Sequence, residues 1–180
     1  MKKNLPLYLY GAVIIIEGVF LLFSKHRTFQ TIKFTLGIAL IIGAILAFLT
    51  ALSRQRKQVE FSYHEIHALA MLVYGVSVLL FANTLETITY LSAFLFFFYA
   101  FSEIIFCNWF LNLGEEVAYK IVFIRVFLGI IVGVGTIAIM NYYNLNRTIV
   151  MQGYGVLFII IGINILLYVP IMKRKEASGQ

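Results

Sequence analysis

Apolar residues in this chain of 180 come in long blocks. Runs such as FLFFF (94–98) and LFIIIGI (157–163) lack the strict alternation, over about ten residues, that marks a strand of a membrane β-barrel. A helix needs about 20 mostly apolar residues to cross a hydrocarbon core about 30 Å thick. Six stretches qualify: roughly 6–23, 33–52, 63–82, 87–109, 119–140 and 149–171. The polar breaks between them (SKHRTFQT, SRQRKQVEFS, ANTLE, LNLGEE and NYYNLNR) are too short for a linker or a second domain. The pattern predicts an all-α polytopic membrane protein of six transmembrane helices, forming a single domain over 1–180 with a basic tail at 172–180.

The blocks carry an internal register. Sliding the chain by 57 residues places Gly18-Val19 on Gly75-Val76 and Gly43-Ala44 on Ala100-Phe101 without a gap. The last third carries Gly133-Val134 and Gly162-Ile163 at offsets that need a slightly longer turn. The expectation is three helical hairpins, about 6–52, 63–109 and 119–171. Each has an even number of spans, so the copies lie parallel about an axis along the membrane normal. Gly18, Gly43, Gly75, Gly129, Gly133 and Gly162 are the expected helix contacts, because small residues let backbones approach where lipid offers little hydrophobic gain. Phe94, Phe96, Phe97, Phe98, Tyr99 and Phe101 surround the fourth helix and read as lipid-facing bulk.

Composition agrees with lipid as the solvent. Hydrophobic residues make up 62% and charged residues 12%, against about half and about a quarter in soluble domains. A net charge of +6 could suit nucleic acid, but the basic residues flank apolar runs instead of forming a patch, so nucleic acid is not expected as a partner. Lys2, Lys3, Arg54, Arg56, Lys57, Lys120, Lys173, Arg174 and Lys175 share one side, and Lys25, Arg27, Lys33 and Arg147 the other. That excess predicts both termini in the cytoplasm, with the first span retained and not cleaved as a signal. The lone Cys107 permits no intrachain disulfide and reads as a small buried residue.

Gly-bearing first helices, short outer turns and second helices reading LGIALIIGAILAFL and YGVLFIIIGINILLYV resemble the HdeD-type acid-resistance membrane proteins, from about Gly11 to Tyr168. The middle hairpin departs, with LSAFLFFFYAFSEIIF carrying Ser, Phe and Ala where the others have Gly. The resemblance implies a small bacterial inner-membrane protein, linked in some members to acid stress. It transfers no catalytic residue.

Candidate chemistry rests on a few polar residues within the spans. Glu17 stands about 16 Å from the inner end of the first helix by helical rise, near the midplane. Glu103 lies about 9 Å from the inner end of the fourth. Ionisable groups at such depth mark functional candidates. Arg125, on the same inner side of the fifth helix, is the expected partner of Glu103, with Asn164 and Ser102 at similar depth. Either these residues join helices or they titrate protons; Glu17, without a partner by depth, is expected in its neutral form. His64 and His67, three residues apart with Glu60 one turn before, are a candidate pH-sensing pair at the membrane interface. A metal site there would need a further ligand, and no metal, cofactor or small-molecule substrate is identified. No nucleophile, phosphate-loop, HExxH or dinucleotide signature occurs, so no enzyme is expected. The expected function is a non-catalytic acid-stress factor of HdeD type, with the bilayer, a second copy or another membrane protein as partner. The alternative is a small transporter or proton-linked permease using Glu17 and Glu103.

Overall fold

The computed structural model describes residues 4–53, 59–112, 119–141 and 146–170. The basic residues at 2–3, 54–57 and 173–175, on which the expected orientation rests, lie outside the described residues, as does the 172–180 tail. Six helices account for the fold: α1 Leu5–Leu22, α2 Phe29–Leu52, α3 Val59–Phe81, α4 Leu85–Asn112, α5 Tyr119–Asn141 and α6 Arg147–Leu166. All six are long and apolar enough to cross a membrane, and the last apolar span continues to Pro170. The chain is an all-α integral membrane protein.

Capping explains where the helix starts differ from those read in the sequence. α2 begins at Phe29 and not at 33, because Thr28 is its cap: Thr31 N donates to Thr28 Oγ1 at 3.2 Å. Thr84 does the same ahead of α4, accepting from Thr87 N at 3.2 Å. A side-chain oxygen satisfies one of the amides that a helix start leaves open. Asn146 accepts from the amides of Thr148 and Ile149 and so starts α6.

Each helix packs against its neighbours in sequence, and α6 returns to α1, which closes a ring. Successive helices run antiparallel, while Tyr99 and Thr89 of α4 meet Asn164 and Tyr154 of α6 in parallel register. The end where α1 starts and α6 finishes is the proximal end; the connections α1–α2, α3–α4 and α5–α6 lie at the distal end. The most extensive interfaces are α2–α3, α4–α5 and α6–α1. Each joins helices from different hairpins. The interfaces within the hairpins are looser.

Small residues mark the three close interfaces. A Cβ on Gly18 would lie 2.6 Å from Gly155 O, and one on Gly75 would lie 3.0 Å from Gly37 O. Across α4–α5, Gly129 faces the Glu103 side chain at 3.3 Å and Gly133 faces Ala100 Cβ at 3.4 Å. Gly162 meets α1 through Ile15 and Gly11 O. Gly43 differs: its nearest neighbours are the side chains of Met71 and Ile14 at 3.3 and 3.4 Å, so it serves packing inside the bundle more than backbone approach.

Large apolar side chains cover the outside; Phe123, Phe101 and Phe23 are each more than 70% exposed. Such a surface would be a liability in water and is ordinary in hydrocarbon. The aromatic run on α4 divides instead of facing lipid throughout. Phe94 and Phe101 are exposed, whereas Phe96 is buried edge-on against Tyr154 and Phe158, and Tyr99 is buried as well.

Candidate functional site

The proximal half of the bundle encloses a polar cluster built from α3, α4, α5 and α6. Arg125 and Glu103, both fully buried, form an ion pair in which Nε and Nη2 each lie 2.7 Å from Oε1. The pairing follows from equal depth. Glu103 stands six residues before Trp109, where its span ends, and Arg125 stands six after Tyr119, about 9 Å in each case.

Tyr63 completes the pair. Its hydroxyl donates to Glu103 Oε2 and accepts from Arg125 Nη2 at 3.0 Å, bridging acid and base. Three rings surround the guanidinium: Tyr168, Tyr63 and Phe106, with centroids 4.8, 5.5 and 5.6 Å from Cζ. At these distances the ring faces attract the cation, more strongly where water is excluded. Cys107 points its Sγ at Glu103 Oε1 from 3.5 Å, so the buried thiol faces the acid, not an apolar wall. A charge pair removed from water needs this many partners, because desolvation otherwise outweighs the attraction.

Asn164 ties α6 to the cluster. Its Nδ2 donates to Tyr99 Oη at 2.8 Å and reaches the Arg125 carbonyl at 3.4 Å. Ser102 sits beside Glu103 but faces α3, where its Oγ lies 2.7 Å from His67 Nε2. Both histidines are buried in the bundle, His64 1% and His67 3% exposed. The Glu60 side chain proposed beside them lies outside the described residues, and no group of three or more metal-ligating residue types assembles among those described.

Glu17 belongs elsewhere. It stands five residues before the last residue of α1, about 7.5 Å from the distal end, so it is not near Glu103. It is buried because it occupies the inward seam of α1, in the series Leu7, Tyr10, Gly11, Ile14, Glu17, Gly18, Leu21. Among the described residues its Oε1 has no hydrogen-bond partner. The two intramembrane acids therefore lie in opposite halves of the bundle.

Between them a central cavity of about 20 Å³ is lined by Tyr10, Ile14, His67, Tyr99 and their apolar neighbours. That volume holds about one water. Neither acid lines it.

The sequence reading gave no role to Tyr10, Tyr63 or Tyr168 and took Tyr99, which is buried, as lipid-facing. A signal was present for one of them: the offsets that carry Gly18 onto Gly75 and Gly133 also carry Tyr10 onto His67 and Arg125. All three are buried, and Tyr10 and His67 both lie within electrostatic range of the Glu103–Arg125 pair.

No family model matches the chain, and neither the curated proteins nor the solved structures contain a match.

Proposed function

We propose that this chain is a non-catalytic factor of the bacterial cytoplasmic membrane, built of three parallel hairpins with both termini in the cytoplasm and serving acid stress in the manner of HdeD-type proteins. The observation that supports it best is that most proximal polar side chains are paired with one another, with Arg125 Nη1 and Asn164 Oδ1 left without a hydrogen-bond partner among the described residues. Glu103 accepts from Arg125 and Tyr63, Asn164 bonds Tyr99, and His67 bonds Ser102. Such a network fixes the register of four helices. The compartment and orientation rest on the excess of Lys and Arg on one side, and the acid-stress role on the resemblance of the second-helix motifs.

The test is survival of an acid challenge by a strain lacking the chain, with and without its return on a plasmid. Lower survival, restored by the wild-type chain, is expected. Equal survival of the deleted strain and its parent would remove the acid-stress reading.

One observation favours a second reading, a small proton-linked permease: Glu17 is buried with an oxygen that has no hydrogen-bond partner among the described residues. Glu17→Gln separates the two. It preserves hydrogen bonding and abolishes titration, so a permease would lose proton-coupled flux in vesicles while a structural factor would retain its acid protection.

A further inference from the structure

We propose that the groove between α3 and α4 seats one acyl chain of a bilayer phospholipid. The groove originates in the sequence. α4 contains no glycine, and the glycine of α3, Gly75, is turned toward α2. Aromatic side chains therefore stand between the two helices, and their interface is looser than α2–α3 or α4–α5 on either side. The space left is about 360 Å³, walled by Ile66, Phe98, Phe101, Ile105 and Phe106, with Trp109 at one end. That is within the size range of small-molecule pockets.

Three observations identify the occupant. The groove opens on the lipid-facing surface, where Ile66, Phe101 and Ile105 are exposed, within two spans that cross the hydrocarbon. Its long axis follows α4 from Trp109, the last residue of that span, to Phe98, about 16 Å deeper. A tryptophan at a span end marks the headgroup level, so an acyl chain entering there runs in its natural direction.

The floor suits an apolar guest even though it contains His67, Ser102 and Tyr63. Ser102 Oγ donates its hydrogen to the Tyr99 carbonyl at 2.9 Å, so His67 Nε2 is the donor in the 2.7 Å contact between them. The Tyr63 hydroxyl is engaged by Glu103 and Arg125. These polar groups are occupied by the protein, and methylene groups can lie over them without stranding a hydrogen bond.

Trp109 is the sole tryptophan and reports on the groove. The full chain would be reconstituted in phosphatidylcholine vesicles with increasing fractions of dibrominated acyl chains, whose bromines quench tryptophan at contact. Wild type should be quenched strongly. Ile66→Phe or Ile105→Phe, each filling the groove from an exposed position, should lose at least half of that quenching. In native mass spectrometry from mild detergent, wild type should carry one phospholipid and both variants none. Equal quenching in wild type and both filled variants, or no retained lipid in wild type, would each overturn the proposal.

Discussion

Gly18 and Gly155 face each other reciprocally: a Cβ placed on either would lie 2.6 Å from the carbonyl oxygen of the other. The α1–α6 interface is thus a contact of backbone with backbone, and no side-chain rearrangement can make room.

From this it follows that Gly18→Ala and Gly155→Ala each destabilise the bundle by about 1–3 kcal/mol, the usual cost of forcing an added methyl into a packed site. Gly43→Ala is the control. Its new methyl would meet the flexible Met71 Sδ at 3.3 Å, and a smaller loss is expected. Unfolding titrations in mixed micelles measure all three. Equal losses at Gly18 and Gly43 would contradict the backbone contact.

Breaking the ion pair from one side leaves the other charge buried alone. Glu103→Gln and Arg125→Met are each expected to cost about 3–5 kcal/mol, and the double substitution less than their sum. A double-mutant cycle in the same titration reads the coupling. Strict additivity would mean that the two residues do not depend on each other.

Tyr63→Phe removes the bridging hydroxyl and keeps the ring against Arg125. Loss of about 1.5–3 kcal/mol is expected, as for hydrogen bonds to charged groups. Because the phenol serves both charges, the loss should vanish in the background that lacks Glu103 and Arg125. Persistence there would assign Tyr63 to packing alone.

Cys107, the only cysteine, is 1% exposed and faces Glu103. In lipid vesicles it should resist maleimide, and in denaturing detergent it should react quickly. Labelling in vesicles at the denatured rate would show that the cluster is open to water.

Cap residues offer a test away from the core. Asn146→Ala removes the acceptor for two amides at the start of α6, and about 1 kcal/mol should be lost. No change would show that water caps this end equally well.

Sequence revealed the helices because apolar length alone separates a span from a loop. It revealed the Glu103–Arg125 meeting because both stand at equal depth on helices joined by a short connection. It singled out Glu17 as an acid within a span but not its place on the inward seam with Ile14 and Leu21. It placed His64 and His67 near a helix start but gave no sign of what surrounds them. Their rings pack on Tyr63, on Tyr99 and on Tyr168, which comes a hundred residues later, and no local pattern encodes such partners. The aromatic run on α4 misled for the same reason: hydrophobicity is equal on both sides of a lipid-facing helix, and only the neighbours decide which face turns inward.

The ring closes between α1 and α6, and that dictates an order of assembly. A hairpin can enter the membrane as soon as its two helices are made, but its inner partner is only loosely held. Each firm contact awaits the next hairpin, and the helix synthesised first obtains its firmest partner from the helix synthesised last. Until then Gly11 and Gly18 present bare backbone to lipid. Closure of the ring is therefore the last step of maturation, which a chain truncated before α6 cannot reach.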